Sequence, residues 1–143
     1  MFRLRLVALS GTKFDDEVDE VLLPTMAGQI GVMTGHMPLV SVATGGIISI
    51  RRQPRDPEHA REYFAISGGV VEVDHNTLSV IVDEADHADE ISEAEAERAF
   101  QLAEKMKAEA KDQVSLEHAQ ALVDRSAVRL QVAQLRRRHH RGR

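Results

Sequence analysis

Seven histidines, at positions 36, 59, 75, 87, 118, 139 and 140, are the side chains best able to hold a metal or move a proton. A metal site needs ligands at spacings that place them on one face, as in a helical His-Glu-x-x-His pair. No such motif occurs, and no two histidines stand four apart. Asp86-His87-Ala88-Asp89 sets three potential ligands within four residues, but such a run reads first as a solvated acidic face, so no metal is expected. His36 lies between Gly35 and a segment bounded by Pro38, with no neighbouring carboxylate in sequence to orient it as a base. It reads as a contact or structural residue. No Ser-His-Asp grouping stands out. The absence of cysteine removes thiolate zinc, disulfides and a cysteine nucleophile. The glycines at 28, 31, 35, 45 and 46 follow neither GxxxxGK[ST] nor GxGxxG leading into a helix. The residue chemistry therefore predicts a chain that is not an enzyme by itself.

Charge is the second chemical resource. The chain has 23 acidic and 18 basic residues, and five of the basic ones, Arg136, Arg137, Arg138, Arg141 and Arg143, crowd its end. Asp83 to Glu97 holds eight acids and no Lys or Arg. An acidic body with a basic end predicts that the end meets something acidic. Nucleic acid is one reading of such a tail, but aromatic residues make up 3% of the chain with no Trp, so stacking platforms are not expected. A frayed, solvated terminus and a salt-sensitive latch for an acidic protein surface are the others.

These groups must be carried by something. At 143 residues, 43% hydrophobic and 29% charged, the chain is globular: one domain, or a small domain with an appendage. No run reaches the ~18–20 apolar residues of a membrane span. Met1-Phe2-Arg3-Leu4-Arg5-Leu6 interleaves charge with apolar residues, so it lacks the apolar run of a secretion signal. That favours a soluble, cytosolic chain. Phe2 to Leu9 alternates as a half-buried strand does. Val18 to Pro24, Ile30 to Met33, Leu39 to Val42, Ile47 to Arg51, Tyr63 to Ile66, Val70 to Val73 and Thr77 to Val82 are further β-branched or alternating runs. About eight short strands punctuated by glycine turns predict an all-β sandwich over 1–83.

After an acidic linker at 84–91, the period changes. Ser92-Glu93-Ala94-Glu95 is a capping box, and Ala96, Ala99, Ala103, Met106 and Ala110 form a stripe at helical spacing. Lys111 to Val114 breaks the stripe, and Ser115 is placed to cap a second helix. There Leu116, Ala119, Val123, Ser126, Leu130 and Ala133 keep a three-four spacing. The reading for 92–143 is an antiparallel helical hairpin. Its seam is rich in alanine and includes Ser126, so little apolar area is buried, each methylene being worth ~0.8 kcal/mol. An ordinary hairpin and a hairpin built to open both fit this pattern.

Gly31-Val32-Met33-Thr34-Gly35-His36-Met37-Pro38-Leu39-Val40 resembles the Gly-hydrophobic-x-x-Gly-His-x-Pro-Leu segment of the epsilon subunit of F-type rotary ATP synthases. Phe64-Ala65-Ile66-Ser67-Gly68-Gly69-Val70-Val71-Glu72-Val73 is similar to that family's second signature, and Thr77 to Val82 before an acid-rich linker fits as well. The resemblance runs the whole length. It implies a non-catalytic rotor part of the central stalk, which couples proton translocation to ATP synthesis. The sandwich would bind the gamma subunit and sit on the c-subunit ring. The hairpin would lie folded, or extend along gamma into the alpha/beta head and inhibit ATP hydrolysis. Such a part would be peripheral to the cytoplasmic face of a bacterial membrane, with no nucleic-acid partner. The alternative is a stand-alone sandwich module whose basic tail binds nucleic acid or an acidic protein.

By the same resemblance, Gln29, Met33 and His36 are expected at the c-ring loops. Several members carry an acid at Gln29, so a neutral hydrogen bond stands in for a salt bridge. Arg125, Arg129, Arg136, Arg137 and Arg138 are expected against gamma or the catalytic head. Some bacterial members bind ATP on the folded hairpin through Ile/Leu-Asp-x-x-Arg-Ala. The matching stretch here runs from Ile91 through Ser92, Glu93, Ala94 and Glu95 to Ala96, with Ser92 for the acid and Glu95 for the arginine. Leu102 stands where ATP-binding members can carry another arginine, while Arg125 and Arg129 match. The implied outcome is weak or no ATP sensing, and no other cofactor.

Overall fold

Alternation in Phe2-Arg3-Leu4-Arg5-Leu6 sends every second side chain inward: β1 (Phe2–Ala8) buries Phe2, Leu4, Leu6 and Ala8 and leaves Arg3 and Arg5 in water. The computed structural model describes residues 1–141, with side chains described through His139. Gly142, Arg143 and the side chains of His140 and Arg141, which the reading of the basic tail included, lie outside the described residues.

Nine further strands follow: β2 (Gly11–Val18), β3 (Glu20–Thr25), β4 (Gly28–Met33), β5 (Leu39–Ala43), β6 (Gly46–Arg51), β7 (Glu62–Ile66), β8 (Gly69–Asp74), β9 (Thr77–Val82) and β10 (Ala85–His87). They hydrogen-bond in the order β10-β7-β6-β3-β5-β8-β9-β1-β2, with β4 paired to β3. Every pairing is antiparallel except β1 with β9. The sheet curls until β10 reaches β1 and β2, which gives two packed faces around one apolar core. Phe14 and Phe64 meet edge to face in that core, ring centres 6.3 Å apart.

The architecture is the all-β sandwich and two-helix hairpin that the two periodicities predict. Two strands were not expected. β2 escapes notice because only Phe14 and Val18 point inward, while Asp15, Asp16 and Glu17 are all exposed. β10 occupies part of the stretch expected to be a linker: it pairs with β7 from Ala85 to His87, and a 3-10 turn (Ala88–Glu90) follows it.

α1 (Glu93–Glu109) starts at Ser92, whose hydroxyl accepts the Glu95 N–H at 3.3 Å. α2 (Gln113–Arg141) is capped differently from the expectation. The Asp112 carboxylate, not Ser115, does the capping, and Ser115 is the donor at 2.7 Å. A carboxylate suits that place because it also faces the positive end of the helix dipole. The buried seam is small: Ala96 and Ala103 on α1, with Ala119, Ser126, Val132 and Ala133 on α2. Ala99 and Met106, expected in the seam, are exposed.

Candidate functional site at the sandwich–hairpin interface

The hairpin lies folded on the sandwich. α2 rests chiefly on β7, β6 and the 3-10 turns Glu58–Ala60 and Ala88–Glu90. A second apolar cluster joins the two parts: Tyr63, Ala65, Ala88, Ile91, Ala96, Val132 and Ala133. Most of these side chains are small, so this core is thin beside the one inside the sandwich.

Charge supplies the rest of the contact. Arg125 meets Glu84 at 2.6 Å, Arg129 meets Asp86, Arg136 meets Asp89 at 3.5 Å and Arg137 meets Glu93 at 2.9 Å. The register has a simple origin. An extended chain rises ~3.3 Å per residue and a helix ~1.5 Å, so two residues of one match four of the other. Glu84 and Asp86 are two apart and face Arg125 and Arg129, which are four apart. The acidic segment runs alongside α2 in the same direction and reads its arginines in order. Each such exposed pair contributes ~0.2–1 kcal/mol and weakens with salt. The expectation assigned these arginines to another subunit. In this folded state four of them face the chain's own acids, and for Glu84 and Asp86 against Arg125 and Arg129 the i,i+2 and i,i+4 spacings already contain the match. Arg137 instead meets Glu93 of α1 within the hairpin.

On one side of the Arg125–Glu84 pair opens a groove of about 510 Å³ between α2 and the sandwich. Gly45, Ala65 and Gly68 line its floor, and Ala121 and Val128 its helical wall. A smaller polar cleft, about 160 Å³, lies where the far end of α2 meets the sandwich. Tyr63 meets the His139 ring there at a 59° tilt, 5.2 Å between ring centres, and burial pushes the tyrosine hydroxyl's pKa up.

Beneath this end, Arg61 is a buried cation whose partners explain its position. Its Nε donates to Ser49 Oγ at 2.5 Å and its Nη1 to Glu20 Oε1 at 3.0 Å. Glu20 also lies 3.5 Å from Arg51. The sequence reading missed this network, since nothing local marks Arg61 as buried.

The remaining expected residues fall elsewhere. Gln29 and Met33 point outward from the same face of β4, which pairs only with β3, an element apart from those α2 rests on. His36 follows in the next loop, its backbone N–H on Met33 O at 3.2 Å and its Nδ1 2.7 Å from Met37 O. Ile91 and Ala96 are buried in the joining cluster, Ser92 caps α1 and Glu95 is exposed. Arg138 is exposed. Asp86 and Asp89 are engaged by arginines, and His87 contacts Glu62 at 3.2 Å. Among the described residues, no three His, Asp or Glu side chains converge where a metal ion could be held. Also among them, no helix is long and apolar enough to cross a membrane.

Residues 1–88 match the profile of the ATP synthase Delta/Epsilon chain beta-sandwich domain. The ATP synthase epsilon chain of Gloeobacter violaceus is 34% identical over 131 residues, covering 92% of this chain and 96% of that one. The chain belongs to the ATP synthase epsilon chain family. Its membership extends through the hairpin, since the epsilon chain of Herpetosiphon aurantiacus is 35% identical over 94% of this chain and 96% of its own length. The fold also matches a chain in the cryo-EM structure of the Euglena gracilis mitochondrial ATP synthase OSCP/F1/c-ring, at a TM-score of 0.77 and 20% identity, covering 92% of this chain and 79% of that one. A chain of the Tetrahymena thermophila mitochondrial ATP synthase central stalk and c-ring matches at 0.60 and 19%, covering 94% and 95%.

Proposed function

We propose that this chain is a non-catalytic rotor subunit of an F-type ATP synthase, seated between gamma and the c ring on the cytoplasmic side of a bacterial membrane. The observation that carries the regulatory part is the arginine ladder. A hairpin sealed by three rim ion pairs, Arg125–Glu84, Arg129–Asp86 and Arg136–Asp89, over a thin apolar cluster can leave the sandwich without disturbing the main core. Leaving frees Arg125, Arg129 and Arg136, with the already exposed Arg138, for acidic surfaces of the alpha/beta head, while Arg137, held by Glu93 of α1, is freed only when the two helices also part. Gln29, Met33 and His36 are the c-ring contact in this reading. Ile91, Ser92, Glu95 and Ala96 have packing and capping roles that need no ATP.

The sandwich also keeps an apolar row that the chain itself does not cover. Val42 stands beside Val70, and Val70 beside Ile81, on adjacent strands, and all three are exposed. That row is the surface assigned to gamma. The test is ATPase activity of an alpha-beta-gamma head with the full chain and with a chain lacking 92–143. The full chain is expected to lower hydrolysis and the truncated chain to bind without lowering it. Equal activities would remove the brake and leave coupling alone.

A further inference from the structure

His87 sits where the sandwich hands the chain to the hairpin, and three elements meet around it. From its own segment, the Asp89 backbone N–H donates to His87 Nδ1 at 3.0 Å, with the Asp89 carboxylate 3.6 Å from the same nitrogen. From β7, Glu62 Oε1 lies 3.2 Å from Nε2, and the Phe64 ring stands edge-on at 4.9 Å. Glu62 is itself held by Arg52. From α2, Arg136 reaches the other oxygen of that carboxylate, Asp89 Oδ1, at 3.5 Å, while Oδ2 is the one nearer His87, and His139 lines the same cleft with His59 and Arg61. The cleft does not read as an anion site, because Arg61 and Arg136 already hold carboxylates.

One protonation state satisfies both nitrogens. With hydrogen on Nε2, the ring donates to Glu62 and leaves its Nδ1 lone pair for the Asp89 N–H. A second proton, which imidazoles acquire between pH 8 and 5, has to sit on Nδ1. There it opposes the Asp89 N–H, and the acceptor within reach is Asp89 Oδ2 at 3.6 Å. Closing to hydrogen-bond length draws the carboxylate toward the ring and away from an Arg136 contact that is already long at 3.5 Å.

We propose that His87 is a proton-driven switch that takes Asp89 from Arg136 and so loosens the far end of α2 in acid. The protonated ring lies between two carboxylates, Glu62 and Asp89, so the sandwich side of the joint tightens as the helix side lets go. The consequence is a hairpin that opens more readily when the surroundings acidify. This rests on the reading of the hairpin as a part that opens.

The chain has no cysteine, so spin labels at Arg55→Cys and Gln131→Cys, both exposed positions, report only the sandwich-to-α2 distance. The full chain is measured at pH 8 and 5.5, and again at pH 8 in 1 M salt. The long-distance population is expected to rise about threefold in acid, the size of one exposed ion pair. His87→Asn keeps an acceptor for the Asp89 N–H but cannot charge, and should remove the rise. Asp89→Asn lacks the Arg136 pair at every pH and should already sit at the acid value at pH 8. An acid rise that persists in His87→Asn overturns the switch. A distance that responds to salt but not to acid overturns the switch while the opening hairpin stands. A distance that responds to neither overturns both.

Discussion

At Gly69 the backbones of β8 and β9 approach so closely that a methyl has nowhere to go: a Cβ there would lie 2.0 Å from Ile81 O and 2.8 Å from Val82 Cα. Those atoms are backbone, so the strands themselves must part. Gly69→Ala is expected to cost at least ~2 kcal/mol in a urea titration, at the upper end of overpacking effects. Asp112 makes a second prediction. The Ser115 N–H holds its carboxyl pKa below the usual carboxylate range. Its folded pKa is therefore lower than its unfolded one, near ~3.9. The cap contributes fully above the unfolded value and is lost as pH falls through the folded one. The Ser115 amide shift should accordingly titrate with a midpoint below that of a free Asp, and Asp112→Asn should abolish the inflection while keeping the helix start.

Among the elements, the pairing of the acidic segment with α2 is open to a direct measurement. A double-mutant cycle of Asp86→Asn and Arg129→Gln should give a coupling of ~0.5–1 kcal/mol at low salt and less at 1 M. A coupling of zero would make the ladder an accident of the folded form. The elements also explain what the sequence disclosed. Strands such as β1 and β9 alternate cleanly because one face of each meets a core, and the hairpin turn His75-Asn76 adopts the left-handed backbone at φ 48° and 57° that such a turn requires. β2 and β10 stayed hidden because their inward residues are few, Phe14 and Val18 in β2 and Ala85 in β10, and a strand without alternation has no signature. The helix ends were legible through Ser92. They were misread at Ser115 because both Asp112 and Ser115 are capping residues, and only the fold decides which backbone N–H groups are left to be capped. The ladder was missed for a different reason. Its two halves lie some forty residues apart, and each taken alone looks like a charge awaiting a stranger.

For the molecule as a whole, the proposed function gives the two faces different neighbours. The uncovered row of Val42, Val70 and Ile81 lies on strands that α2 does not chiefly rest on. Val70→Asp should therefore weaken gamma binding at least ~10-fold in a titration, consistent with loss of a central apolar contact, and leave the hairpin distance unchanged. If gamma binds Val70→Asp as well as the parent chain, the docking surface lies elsewhere.

The strand order has a mechanical consequence. β9 leads to the hairpin, and it is hydrogen-bonded on both flanks, to β8 and to β1. β10, the next strand, is held on one flank only, along three residues of β7. Tension applied through the hairpin would peel β10 one bond at a time, at low force. It would then arrive at β9 pulling along the strand, where two ladders must shear together. The connection behaves as a tether with a built-in stop, so an arm can be drawn out under torque while the body that carries the torque stays whole.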